Sequence, residues 1–78
     1  MDYKKIAQNI LDNLGGKNNI NELSHCMTRL RFKLHDKSKA NTDKISSIEG
    51  VITVVESMGQ YQVVIGNKVS NVYNELIK

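Results

Sequence analysis

The residues TRLRFKL at positions 28–34 alternate between apolar and basic side chains, and this alternation restricts the fold more than any other stretch of the chain. Successive side chains of a β-strand point to opposite faces, so a period of two predicts a strand with two unlike faces. One face presents Leu30, Phe32 and Leu34, and the other presents Arg29, Arg31 and Lys33. The apolar face must be covered by other elements, whereas the basic face is expected to be wet or to be a docking surface.

Three segments have the apolar spacing of amphipathic helices that can cover such a face. They lie between Asp2 and Gly15-Gly16, over residues 41–50 with a cap at Asn41 or Thr42, and after Gly66-Asn67. Their apolar stripes are, in chain order, Ile6, Ala7, Ile10, Leu11 and Leu14; Ile45 and Ile48; and Val69, Val72, Tyr73 and Leu76.

Three further segments predict strands. Residues 20–25 are a weak candidate that would pair with 28–34 across a turn at residues 26–28. Residues 51–56 and 61–65 are rich in β-branched side chains, and the glycine of the SMGQ segment between them suits a hairpin turn. The order α-β-β-α-β-β-α predicts an α+β fold: a four-stranded antiparallel sheet with three helices packed on one face, in a single domain over residues 1–78.

Composition narrows the class of protein. The chain has 78 residues, one cysteine and a formal net charge of +3. A lone cysteine argues against a disulfide-stapled secreted scaffold and fits a reducing compartment. No apolar run approaches the roughly 20 residues that cross a bilayer, so the domain is expected to be soluble. The absence of Trp and the small positive charge weigh against nucleic acid as a partner.

The only cysteine lies in the segment SHCMTRLR, positions 24–31, among cations and hydrogen-bond donors. Positive charge and backbone N–H groups lower the pKa of a thiol, and a turn at residues 26–28 would leave N–H groups free to form an anion nest. Arg29 and Arg31 share a strand face at a spacing of roughly 6–7 Å, which can place two guanidinium forks around one anion. The segment is therefore predicted to hold a tetrahedral anion beside the sulfur, or a phosphoryl group bonded to it.

Plainer interpretations of the same residues stay open from the pattern alone. A single cysteine is often a small core residue, and a basic strand face is usually just solvated. His25, Cys26 and His35 do not form a persuasive zinc site, because zinc usually takes three or four protein ligands, so no metal or other cofactor is expected. The alternative function is a small module that binds nucleic acid or a regulatory protein, with a redox-sensitive or incidental cysteine.

The segment HCMTRLRFKLHD resembles the active-site segment of the enzyme IIB domains of the bacterial phosphoenolpyruvate-dependent sugar phosphotransferase system, of the glucose, β-glucoside and sucrose type. The resemblance covers nearly the whole chain and includes LGGKNNI at the end of the first helix, DKSKA, IEGV and the tail GQYQVVIGNKVSNVY. It implies the fold predicted above and a phosphocarrier function.

The resemblance also implies roles for individual residues. Cys26 would accept a phosphoryl group from a histidine of a IIA domain and pass it to a sugar of the β-glucoside, sucrose or trehalose class. Arg29 and Arg31 would act in the onward transfer to sugar. Phosphate-binding roles are implied for Thr28, for the backbone of Met27 and for His25.

The setting implied by the resemblance is a larger permease. The sugar would be bound by a membrane-embedded IIC domain, which would hold residues 1–78 at the cytoplasmic face of the bacterial membrane. The chain would then be one EIIB domain of a longer IIBC or IIBCA polypeptide. Since both partner domains must reach the sulfur, Cys26 is expected to lie on an exposed rim.

Overall fold

The computed structural model describes residues 1–78 and contains three helices and four strands. In chain order these are α1 (Tyr3–Asn13), β1 (Ile20–His25), β2 (Arg29–Leu34), α2 (Thr42–Ser46), β3 (Thr53–Ser57), β4 (Gln60–Val64) and α3 (Val69–Leu76). Short 3-10 turns over Lys17–Asn19 and Lys37–Lys39 precede β1 and α2. The predicted order of elements and the α+β class are confirmed.

The four strands form one antiparallel sheet in the order β1-β2-β4-β3. The two hairpins are joined at their inner strands, where Arg29 of β2 lies opposite Val64 of β4 and Arg31 lies opposite Gln62. This register brings the turn between β1 and β2 to the same end of the sheet as the end of β4. The edges of the sheet are β1 and β3.

The helices cover one face of the sheet and bury a single core against it. Thirteen hydrophobic residues are buried there: Ile6, Ala7, Ile10, Leu14, Leu30, Phe32, Ile45, Tyr61, Val63, Ile65, Val69, Val72 and Leu76. Phe32 is fully buried on β2. Truncating a buried phenylalanine to alanine costs about 3–5 kcal/mol, so the apolar half of the β2 alternation is a main source of stability.

Local signals in the sequence account for both ends of α1. The carboxylate of Asp2 accepts a hydrogen bond from the N–H of Lys5 at 3.1 Å, as predicted for an N-cap. After the C-cap at Leu14, Gly15 has a φ of 97°, which glycine adopts without a steric penalty. No helix in the chain has both the length and the apolar character that crossing a membrane requires.

Several element ends differ from the prediction near β4. The strand covers Gln60–Val64 rather than 61–65, because the pairing of β2 with β4 ends at Arg29 and Val64, and beyond it the N–H groups of Ile65 and Gly66 both donate to the single carbonyl of Thr28. Gly66 donates to the same carbonyl with a φ of 96° and therefore does not open a helix, so α3 begins at Val69.

The segments around α2 also differ in length from the prediction. The helix has only five residues, Thr42–Ser46, with the side chain of Asn41 accepting from the N–H of Lys44 as its cap. The strand predicted over 51–56 is observed as Thr53–Ser57, because the N–H of Val51 donates to the carbonyl of Ile48 and belongs to the turn that follows α2.

Candidate functional site

The turn between β1 and β2 contains the cysteine and is held mainly through its carbonyl groups. The N–H of Cys26 donates to the carbonyl of Arg29 at 2.9 Å, which closes the turn. The carbonyl of Thr28 accepts from the N–H groups of Ile65 and Gly66 at 2.8 and 2.9 Å, which fastens the turn to the chain after β4. The N–H of Met27 donates to no acceptor within the chain, so it is available to an anion.

The thiol of Cys26 is partly exposed and is surrounded by donors. The backbone N–H of Thr28 donates to the sulfur and is the main cause that lowers the pKa of Cys26 to about 7. The N–H of Arg29 and the guanidinium of Arg31 lower this pKa as well, while partial desolvation opposes them. The reactive thiolate is therefore more populated near neutral pH than it is in an ordinary cysteine.

The two arginines lie on the open face of the sheet and are both partly buried, but they relate to the sulfur differently. Nη2 of Arg31 lies 3.7 Å from Sγ of Cys26, so its guanidinium touches the thiol directly. The guanidinium of Arg29 instead donates through Nη1 to Oε1 of Gln62 at 2.8 Å. Arg29 reaches the sulfur only through its backbone N–H.

The remaining predicted site residues occupy both sides of the turn. Met27 and Thr28 are exposed at its tip. His25 lies opposite the buried Leu30 and therefore on the helix-covered side, where its ring packs at 4.4 Å between centroids from the ring of Tyr73. Its Nδ1 lies 3.0 Å from the carbonyl oxygen of Cys26. The structure thus separates His25 from the two arginines.

Two glutamines of β4 complete the site and carry no role in the sequence prediction. Gln62 is only 5% exposed although it faces away from the helices, because the side chains around it cover it. Its Nε2 donates to Oε1 of Gln60 at 3.1 Å, and the same Oε1 accepts from Nη1 of Arg31 at 2.8 Å. The signal that points to them is their alternation with the buried Tyr61 and Val63, which places both glutamines on the same face as the basic side chains of β2.

The concavities of the surface lie away from this site. The largest, about 540 Å³, lies between α1 and α2 and includes no residue of the turn. No three His, Cys, Asp or Glu side chains converge as metal ligands. The site itself offers a thiol of lowered pKa beside cationic donors.

Comparison with known proteins identifies relatives of the whole chain. The sequence model of a family described as "phosphotransferase system, EIIB" matches residues 8–41. The chain is 50% identical over its full length to the PTS system beta-glucoside-specific EIIBCA component of Halalkalibacterium halodurans, of which it covers 12%. It is 42% identical over its full length to the sucrose-specific EIIBC component of Vibrio alginolyticus, of which it covers 16%.

The fold is also similar to that of a solved structure. It is the crystal structure of one domain of the PTS system, IIabc component, from Clostridium difficile. The TM-score is 0.89 at 36% sequence identity, over 96% of this chain and 79% of that one. The chain thus spans about four fifths of that solved chain, but only a small part of the EIIBCA and EIIBC proteins.

Proposed function

Because this chain belongs to the EIIB family of the phosphotransferase system, we propose that it is the phosphocarrier domain of a sugar-specific permease. Cys26 is the phosphoryl acceptor, Arg29 and Arg31 stabilise the transferred group, and Thr28 and the backbone of Met27 bind its oxygens. The observation that carries this proposal is the contact of the Arg31 guanidinium with the thiol, 3.7 Å from Nη2 to Sγ of Cys26, at a turn whose tip is exposed. This contact and the backbone donors of the turn lower the pKa of the thiol to about 7, and such donors also bind the oxygens of a phosphoryl group.

The first half-reaction transfers phosphorus from nitrogen to sulfur. The thiolate of Cys26 attacks the phosphorus of a phosphohistidine on a IIA domain, the P–S bond forms and the P–N bond breaks. The imidazole leaves with the bonding electron pair, and the proton given up by the thiol balances the charge on that nitrogen. Because the thiol ionises near neutral pH, no separate base has to act on it.

The second half-reaction transfers phosphorus from sulfur to oxygen. A sugar hydroxyl attacks the phosphorus, the P–S bond breaks and the sulfur leaves with its electron pair, while the hydroxyl proton restores the balance at the thiol. The low pKa of Cys26 makes the sulfur a better leaving group. Arg31, which contacts Sγ at 3.7 Å, can stabilise the charge that returns to sulfur in this step.

The position of His25 supports a smaller role than that of the arginines. Its ring lies on the helix-covered side of the sheet against Tyr73, and its Nδ1 lies beside the carbonyl of Cys26. His25 is exposed, but it lies on the face of the sheet opposite to the two arginines. We therefore assign to His25 the support of the turn, with phosphate binding left to the arginines and to the groups at the tip of the turn.

The relatives support the setting of the reaction. Their names give β-glucoside and sucrose as sugars and EIIBCA or EIIBC as composition. We propose a phosphorylated IIA domain as the donor, a membrane-embedded IIC domain as the site of the sugar acceptor, and a location at the cytoplasmic face of the membrane. Residues 1–78 are then one EIIB domain of a longer polypeptide, and reading the gene beyond residue 78 tests this arrangement.

The phosphoryl acceptor is tested by incubating the chain with phosphoenolpyruvate, the general phosphotransfer proteins and a matching IIA domain. Intact-mass measurement should show one added phosphoryl group on the wild type and on a Ser24→Ala control, and none on Cys26→Ser. Acceptance of phosphate by Cys26→Ser at the wild-type level would show that the nucleophile lies elsewhere. Steep, salt-sensitive binding of oligonucleotides would instead favour a nucleic-acid module.

A further inference from the structure

The open face of the sheet carries a hydrogen-bonded chain of side chains that begins at the sulfur. Arg31 contacts Sγ of Cys26 through Nη2 at 3.7 Å and donates through Nη1 to Oε1 of Gln60 at 2.8 Å. The same Oε1 accepts from Nε2 of Gln62 at 3.1 Å, and Gln62 accepts from Nη1 of Arg29 at 2.8 Å. Gln60 joins the two halves of this chain, because its one amide oxygen receives both donors.

The backbone holds these glutamines in place. Gln62 lies in the middle of β4, opposite Arg31 on one side and Val55 on the other, and is 5% exposed. Gln60 is the first residue of β4 and is paired directly with Ser57 across a two-residue turn. Both amide groups therefore project from a strand whose register is fixed on the β3 side, independently of the cysteine turn.

The partners of the two guanidinium groups are uncharged. An amide oxygen accepts a hydrogen bond without cancelling the positive charge, whereas a carboxylate would form a bidentate ion pair with it. The salt bridges of the chain join Lys33 to Glu22 and Lys78 to Glu75, and neither arginine takes part in one. The positive charge of both arginines therefore stays available to an incoming anion.

We propose that Gln60 is a positioning residue, whose amide oxygen holds the Arg31 guanidinium against the Cys26 sulfur without neutralising it. Through Gln62 it also ties the Arg29 guanidinium into the same arrangement. Gln60 makes no contact with the sulfur, and its effect on the thiol is exerted through Arg31. The proposal rests on the proposed function for the identity of the anion, but the effect of Arg31 on the thiol exists without any phosphate.

Two substitutions of Gln60 distinguish the effect of the position of the Arg31 guanidinium from the effect of its charge. Gln60→Ala releases Arg31, while Gln60→Glu keeps an acceptor there and cancels the charge. Gln8→Ala is the matched control, because Gln8 is an exposed glutamine of α1 that donates to Asp12 at 2.9 Å, outside the site. The rate of thiol alkylation by iodoacetamide as a function of pH gives the pKa of Cys26 in each variant, and transfer from a phosphorylated IIA domain gives the functional effect.

We expect Gln60→Glu to raise the pKa of Cys26 by roughly half a unit to one unit, since it places a negative charge near the sulfur. Gln60→Ala should raise this pKa by less, since it only releases Arg31 from its contact with the sulfur. Phosphoryl transfer should slow about 10- to 100-fold in Gln60→Glu and roughly 3- to 10-fold in Gln60→Ala. Gln8→Ala should match the wild type in both measurements. A purely structural role for Gln60 would lower the melting temperature without moving the alkylation profile.

The proposal is overturned if Gln60→Ala and Gln60→Glu, both folded by circular dichroism, show the alkylation profile and transfer rate of Gln8→Ala. If Gln60→Glu does not fold, Gln60→Ala decides alone, because it introduces no charge on the sheet. Failure of the proposed function looks different. The wild type would then take up no phosphoryl group, although the Gln60 variants would still shift the alkylation profile.

Discussion

The turn between β3 and β4 takes two residues, whereas the turn between β1 and β2 takes three. Met58 and Gly59 of the shorter turn have φ values of 53° and 80°, the combination found in tight hairpins of type I′. The longer turn, residues 26–28, has no positive φ value. Each turn exposes a methionine, Met27 at 88% and Met58 at 98%, so exposure alone does not distinguish them.

The difference lies in what the backbone groups of each turn do. In the shorter turn the flanking residues Ser57 and Gln60 are paired directly, so the turn sets the register of the hairpin. In the longer turn the N–H groups of Thr28 and Arg29 donate to the thiol instead. The carbonyl of Thr28 accepts from the N–H groups of Ile65 and Gly66. The segment after β4 therefore holds this turn in place, while the N–H groups of the turn are directed to the cysteine.

The largest test of this comparison replaces each arginine by lysine. Both Arg31→Lys and Arg29→Lys remove a planar donor fork, and each should slow delivery of phosphate to sugar by about 10²-fold, and more than it slows loading of Cys26. Only Arg31→Lys should raise the pKa of Cys26 from about 7, since Arg31 alone touches the sulfur through its side chain. Single-turnover rates of both half-reactions and alkylation profiles measure these effects.

Two results would break this division between the arginines. Equal losses in loading and delivery would contradict their assignment to onward transfer. An alkylation profile that Arg29→Lys moves as far as Arg31→Lys does would contradict the contact of a single guanidinium with the sulfur.

A second, smaller effect separates the side chain of Thr28 from its backbone. Thr28→Val keeps the N–H that donates to the sulfur, so the pKa of Cys26 should remain at about 7. Loss of the exposed hydroxyl should weaken binding of the phosphoryl group and slow loading about tenfold. If alkylation of Thr28→Val shifts to higher pH by as much as in Arg31→Lys, the hydroxyl and not the N–H holds the thiolate.

The shorter turn should respond only in stability. Met58→Asn replaces an exposed side chain at a positive φ value by the residue that tight turns prefer, and should raise the free energy of unfolding by about 0.5–1 kcal/mol. Phosphoryl transfer should be unchanged, because asparagine preserves the turn that sets the register of Gln60. Urea denaturation checks the gain. A loss of stability would contradict the turn type, and a loss of transfer in a stable variant would show that the side chain of Met58 contributes to the site.

The smallest expected effect is the pH dependence that the thiolate adds to stability. An unfolded cysteine has a pKa of about 8.5, so a folded value of about 7 stabilises the native state at pH values above both. This contribution decreases as the pH falls from about 9 to 7 and disappears below the folded value. Urea denaturation of the wild type and of Cys26→Ser should therefore show a free energy of unfolding that increases for the wild type relative to the variant as the pH rises from about 6 to about 9. A difference that stays constant over this range would show that the thiol pKa is not lowered.

Sequence patterns predicted the fold because each element carries its own signal. The alternation in β2, the stripe of α1 with its cap at Asp2, and the β-branched strands all have local causes. The ends that were predicted wrongly have causes that are not local. β4 and α3 begin and end where they do because Ile65 and Gly66 donate to Thr28, a contact between residues far apart in the chain.

The same distinction applies to the site. Cys26, Thr28, Arg29 and Arg31 lie within six consecutive residues, so their proximity follows from the sequence. The contribution of Gln60 and Gln62 depends on the register between β2 and β4. Each glutamine bonds an arginine that is distant in the chain: Arg31 and Gln60 are separated by 29 positions, and Arg29 and Gln62 by 33. The strand pattern predicts the face that each glutamine occupies but not which arginine it meets.

The helices leave one side of the sheet uncovered, so under the proposed function a closed active site forms only when a partner domain covers this side. The chain supplies the sheet surface, the sulfur and the two arginine side chains, and the partner domain supplies the surface that covers them. Exclusion of water during transfer is then a property of the encounter and not of the isolated domain. Between encounters the phosphorylated cysteine is open to the solvent, so its lifetime depends on how fast water attacks the sulfur–phosphorus bond and not on burial.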